Sequence, residues 1–135
     1  MDFLKSMAIA ATGLRAQAGR MRIISENIAN ADSVAPAAGA EPYRRQMASF
    51  KSEMDRTLDV HLVALGRIKT DPSEFRLKYE PGHPAADANG NVKYPNVNAL
   101  VEMTDLREAQ RSYEANLNMV TSTRKMLAQT LAILK

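Results

Sequence analysis

The side chains best suited to chemistry in this 135-residue sequence are two histidines, a few paired carboxylates and two stretches rich in Asp and Asn. Asp87 to Asn91 reads "DANGN", which sets oxygen ligands close together as a calcium loop does. The spacing fails, because Gly90 falls at the fourth position instead of the sixth and the twelfth is Asn98 instead of a bidentate glutamate. There is no cysteine, which excludes disulfides and thiolate metal sites, and a zinc centre on His61 and His83 would need several carboxylates besides. His83 sits in "PGHP", a turn by composition, and neither histidine lies in a motif that makes a nucleophile and base pair. The glycines at 13, 19, 39, 66, 82 and 90 fit no nucleotide fingerprint, and Asp55 and Asp59, four apart, read as an exposed pair. No enzyme, metal or cofactor is expected.

The second polar stretch, "RIISENIANADS" from Arg22 to Ser33, opens as the end of an amphipathic helix and closes on Asn27, Asn30, Asp32 and Ser33. Those residue types compete for nearby backbone groups and favour caps and turns. Asn27 and Asn30 lie three apart, so they share a helix face, and each amide both donates and accepts.

The helix leading to them carries a heptad seam: Leu4, Met7, Ala11, Leu14, Ala18, Met21, Ser25, Ile28. Large residues alternate with small ones, so the seam allows close approach of another helix but buries too little to be stable alone. From Asn96 and Asn98, candidate caps, a longer seam follows: Ala99, Met103, Leu106, Gln110, Tyr113, Leu117, Val120, Arg124, Leu127, Leu131, Leu134. Helical throughout, it would reach on the order of 55 Å.

Between the helices, "SVAPAAGAEP" (Ser33 to Pro42) reads as a linker or mobile loop. "LDVHLVALGRI" alternates at Val60, Leu62 and Ala64 and then loses its phase. Phe75, Leu77 and Tyr79 face one way and Arg76, Lys78 and Glu80 the other, and Val92 and Tyr94 alternate again after the Asn89-Gly90 turn. The expected fold is mainly α with a small β insertion: two long terminal helices as a coiled-coil-like pair, with a short β-hairpin between them. The segments are 1–32, an N-terminal helix; 33–95, a linker and β-containing middle; and 96–135, a C-terminal helix.

Hydrophobic residues make up 45% but aromatics only 5%, which suits long helices side by side better than a dense globular core. The net charge of +3 is scattered among acids and not gathered into a patch, so nucleic-acid binding is not expected. No apolar run approaches the roughly 18 residues of a bilayer span, so no membrane insertion is expected either. "MDFLKSMAIAATGL" reads as retained helix and not as a cleaved signal, since Asp2 weakens the positive flank and the helical pattern runs on through it.

"SENIANADS" in the first helix and "SYEANLNMV" (Ser112 to Val120) in the last resemble the paired terminal signatures of bacterial flagellar axial proteins, the rod, hook and hook-associated families. Within them, "FRLKYEPGHPAADANGNVKYPNVN" (Phe75 to Asn98), "PYRRQ" (Pro42 to Gln46) and the total length are similar to a family of the proximal rod. The N-terminal motif falls on Ser25, Asn27, Ile28, Ala29 and Asn30, and the C-terminal one on Ser112, Tyr113, Ala115, Asn116 and Leu117. Two departures stand out: "ADSVAPAAGAEP" replaces the Thr-x-Gly turn that many axial proteins place after the Asn-rich motif, and Glu26 stands where many relatives have a small polar residue or Asn.

The resemblance implies a structural subunit of the basal-body rod. It would be exported through the flagellar type III apparatus without a cleaved signal peptide and assembled in the periplasm, with itself and other rod subunits, into a helical tube around the export channel. The subunit interface expected on that basis comprises Leu14, Met21, Asn27, Ile28, Asn30, Tyr113, Asn116, Leu117, Val120, Leu127 and Leu131. Asn27 and Asn30 either fix the axial register between subunits, as a buried polar residue does in a coiled coil, or cap the helix within one subunit. The alternative function is a soluble helical adaptor or export chaperone, folded along its whole length when alone. A rod subunit should instead exchange rapidly before about residue 33 and after about residue 98 as a monomer, because its seams lack partners.

Overall fold

Asp2 opens the first helix: its Oδ1 accepts the backbone N–H groups of Leu4 and Lys5 at 3.1 and 3.2 Å, satisfying donors that have no partner within the helix. The computed structural model describes residues 2–134. Helix α1 runs Phe3–Ala29 and stops at Asn30, whose Nδ2 donates back to the Glu26 carbonyl at 2.8 Å while its Oδ1 accepts from Ser33 Oγ at 3.2 Å. Helix α2, Ala99–Ile133, is capped by Asn98, whose Oδ1 accepts from Leu100 and Val101 N–H. At 35 residues it is about 50 Å long.

Three antiparallel strand pairs lie between the helices. Strand β1 (Gln46–Met47) pairs with β4 (Lys69–Thr70), β2 (Phe50–Asp55) with β3 (Val60–Leu65), and β5 (Arg76–Tyr79) with β6 (Asn91–Tyr94). The architecture is mainly α with a small β insertion, as expected, although the insertion holds more than the one hairpin. That hairpin is β5–β6, and its turn rests on Gly90 at φ +80°, a conformation that glycine adopts without a steric penalty. The alternation at Val60, Leu62 and Ala64 becomes β3, which ends at Leu65, and Gly66 beyond it donates its N–H to the Ser49 carbonyl at 2.7 Å.

The chain divides into two compact units, and each helix contributes to both. The first comprises Met1–Met21, Ala48–Arg67 and Arg107–Lys135, and the second Arg22–Met47 and Ile68–Leu106. In the first unit the helices are antiparallel: Gly13 meets Asn116, Gln17 Nε2 donates to Ser112 Oγ at 3.3 Å, and Arg20 faces Glu108 at 3.6 Å. A methyl group on Gly13 would come within 2.8 Å of Asn116 Oδ1, so glycine is what admits that amide to the helix surface. Leu65 of β3 packs against Gly19 in the same manner.

The inward face of α1 in this unit carries the buried residues Ala10, Gly13 and Ala16. The heptad seam lies beside it, with Leu4, Ala11 and Ala18 exposed and Met7, Leu14 and Met21 half-buried. The coiled-coil-like pair expected from the seams is thus joined in this unit through small and polar residues, because a narrow stripe of Ala and Gly lets the backbones approach more closely than Leu and Met would.

The core of the second unit is built on Ile23, Ile24, Ala31, Ala35, Ala85, Val92 and Val97. The stretch read as a linker is anchored there: Ala35 and Pro42 are buried, and Arg76 Nη2 donates to the Ala31 carbonyl at 2.9 Å.

Candidate assembly interface

Asn27 and Glu102 are buried together in the second unit, each only 1% exposed. All four bonding positions of the Asn27 amide are filled within the chain. Its Nδ2 donates to the Gln46 carbonyl at 2.8 Å and to Glu102 Oε2 at 3.1 Å, and its Oδ1 accepts from Gln46 N–H at 2.9 Å and Tyr43 Oη at 2.8 Å. Glu102 Oε1 receives Arg45 Nε at 2.5 Å, and the same guanidinium reaches Asp71 at 3.4 Å and Asp105 at 3.9 Å. Burial works against the charge on Arg45, but the Glu102 carboxylate and Asp71 outweigh it and hold the guanidinium more firmly protonated than usual.

Asp71 is held below the ordinary carboxylate range, first by the Ser73 backbone N–H at 2.8 Å and its hydroxyl, and further by Arg45. Burial pushes the Tyr43 phenol up, and Glu26 and Glu102 add to the shift. Asn96, read as a helix cap, instead ties this cluster to the neighbouring loop. Its Oδ1 accepts Arg45 N–H at 2.8 Å, and its Nδ2 donates to the Asp71 and Ser73 carbonyls.

For the expected interface this placement matters most at the two amides. The four Asn27 bonds are made within the chain, whereas Asn30, half-buried, gives one donor to Glu26 and one acceptor to Ser33 and keeps a donor and an acceptor free among the described residues. Asn116 is half-buried against Gly13 and donates to the Ser112 carbonyl at 2.9 Å. The apolar members lie elsewhere. Leu117, Leu127 and Leu131 are exposed, at 46%, 38% and 56%, and Leu14, Met21, Ile28, Tyr113 and Val120 are half-buried. Along α2, Tyr113, Leu117, Val120, Leu127 and Leu131 form an apolar stripe whose leucines the chain does not cover.

Sequence reasoning missed Tyr43, Arg45, Asp71 and Glu102. A carboxylate in the first turn of a helix reads as an ordinary complement to the helix dipole, and an arginine in "PYRRQ" as surface. The other chemistry considered is placed as follows. Asp87 Oδ1 is occupied by the N–H groups of Asn89 and Asn91, which closes the turn, and His83 Nδ1 accepts Ala85 N–H. Ser52 Oγ lies 3.2 Å from His61 Nδ1 on an exposed hairpin surface.

Two family models match the helical termini with their flanks: residues 7–35 match "Flagella basal body rod protein", and residues 88–133 match "Flagellar basal body rod FlgEFG protein C-terminal". Along its full length the chain is 50% identical to the flagellar basal-body rod protein FlgC of Agrobacterium fabrum, covering 98% of that protein. The chain belongs to the FlgC family of flagellar basal-body rod proteins. Other members show the same full-length correspondence: FlgC of Salmonella typhimurium is 36% identical over 98% of both chains, and FlgC of Bacillus subtilis is 37% identical over 98% of this chain and 99% of its own. The segments matched by the two rod models include both Asn27 and Glu102, and they include the exposed leucines of α2.

Proposed function

We propose that this FlgC-family chain is a structural subunit of the proximal rod, polymerising through its terminal helices into the axial tube that transmits motor torque and surrounds the export channel. Its partners are further copies of itself and other rod subunits, and the flagellar type III apparatus exports it without a cleaved signal peptide to the basal body in the periplasmic space. Its role is mechanical and not catalytic.

The observation that carries this reading is the uncovered stripe on α2. Burying the roughly half of each side chain that Leu117, Leu127 and Leu131 leave exposed contributes on the order of 1 kcal/mol apiece, and repeated around a tube this supplies cohesion that one subunit leaves unused. Leu14, Met21 and Ile28 are half-buried along α1. No helix among the described residues is long and apolar enough to cross a membrane.

Quantitative mass spectrometry of purified hook and basal bodies tests the proposal. Peptides of this chain at a fixed ratio to other rod components are the expected outcome. A chain abundant in the cytoplasm and missing from intact particles would favour the adaptor or chaperone reading instead.

A further inference from the structure

We infer that the Asn27, Arg45 and Glu102 cluster is a latch that keeps the inner ends of both helices folded in the free subunit, where they serve as nuclei for the outer helical segments; the assembly half of this inference rests on the rod reading above. The cluster joins three stretches far apart in sequence. Asn27 belongs to the end of α1, residues 43–46 to the segment that leads into β1, and Glu102 to the first turn of α2. Asn27 binds both the N–H and the carbonyl of Gln46, so the strand cannot leave without breaking two bonds to one amide. Arg45 binds the Glu102 carboxylate that Asn27 also holds, and Asn96 fastens the backbone of Arg45 from a third side. Ile23, Ile24 and Val97, all at most 5% exposed, close the unit around these groups.

Outside this unit the helices are held differently. From Arg107 onward, Ala109 and Thr123 are the α2 residues that are buried, and the Arg20–Glu108 pair is open to solvent screening because Glu108 is 70% exposed. Starting a helix is the unfavourable step, with a nucleation constant of about 10⁻³, whereas adding residues to an existing end is close to neutral. A subunit whose helix ends are already formed therefore needs only propagation when its outer segments meet neighbours. On this inference the protected helix ends are those inside the second unit, which takes Arg22 onward from α1 and α2 as far as Leu106.

Hydrogen exchange on the full-length monomer tests the latch. Amides of residues 23–29 and 102–106 should exchange on the order of a hundredfold more slowly than those of residues 5–15 and 115–130. Asn27→Ala and Glu102→Ala should abolish that protection in both helices together, while Leu127→Asp should leave it unchanged. If either alanine variant unfolds the whole second unit, Tyr43→Phe removes only one hydroxyl donated to Asn27 and should weaken protection at both helix ends in parallel. Uniform exchange along the wild-type helices, or loss at one helix end with the other intact, would overturn the inference. The rod reading fails separately, through absence of the wild-type chain from basal bodies, so the two failures are distinguishable.

Discussion

Asn27 and Glu102 lie 75 residues apart in sequence, and their side chains share a hydrogen bond of 3.1 Å inside the chain. Through it the end of one helix is tied to the start of the other, and Arg45 supplies the charge that lets a carboxylate be buried there.

Removing the cation alone should be worse than removing the pair. Arg45→Met leaves the Glu102 carboxylate buried without its counter-charge and should cost about 3 kcal/mol, whereas Arg45→Met with Glu102→Met should regain most of that loss. Urea unfolding of the three proteins, followed by a probe in the second unit, measures the difference. A double variant less stable than Arg45→Met would contradict the account.

Acid should weaken the second unit. Asp71 has a lowered pKa in the fold, so its stabilisation is fully present above the ordinary carboxylate value of about 4 and is lost as pH falls through the lowered value. Below that ordinary value the unfolded chain binds the proton first, and protonation draws the equilibrium toward it. Asp71→Asn should therefore flatten the acid limb of a plot of urea midpoint against pH; an unchanged limb would assign the acid sensitivity to other groups.

Gly90→Ala should destabilise the β5–β6 hairpin by about 1–3 kcal/mol. The φ of +80° disfavours any side chain, and a methyl there would stand 2.8 Å from Tyr79 Cε2 and 3.2 Å from Pro81 Cβ. Thermal unfolding of the monomer reads the loss, and a midpoint equal to wild type would show that the turn relaxes to accommodate alanine.

Leu127→Asp and Leu131→Asp should separate folding from assembly. Leu131 is 56% exposed, so Leu131→Asp should leave monomer stability within about 0.5 kcal/mol of wild type, and Leu127→Asp, at a side chain 38% exposed, should cost more without unfolding the second unit. Incorporation into basal bodies and swimming should be lost while secretion of the protein continues. Motile cells carrying normal amounts of either variant in purified particles would place the assembly contacts on another face.

Local order alone determined a good deal of this protein. The two helices, the caps at Asn98 and Asn30 and the Asn89-Gly90 turn follow from periodicity and from short-range competition for backbone groups, and these act between residues a few positions apart. Tertiary structure decided which helix face turns inward. In the first unit α1 carries two adjacent stripes, and the one with Leu4, Met7, Leu14 and Met21 is the obvious core by hydropathy. Yet Ala10, Gly13 and Ala16 face inward, because close backbone approach depends on what a side chain leaves out. Tertiary structure likewise made Arg45 and Glu102 interior residues. A charge is stable away from water only when its partner arrives from elsewhere in the chain, and nothing in the neighbouring residues of either one announces the other.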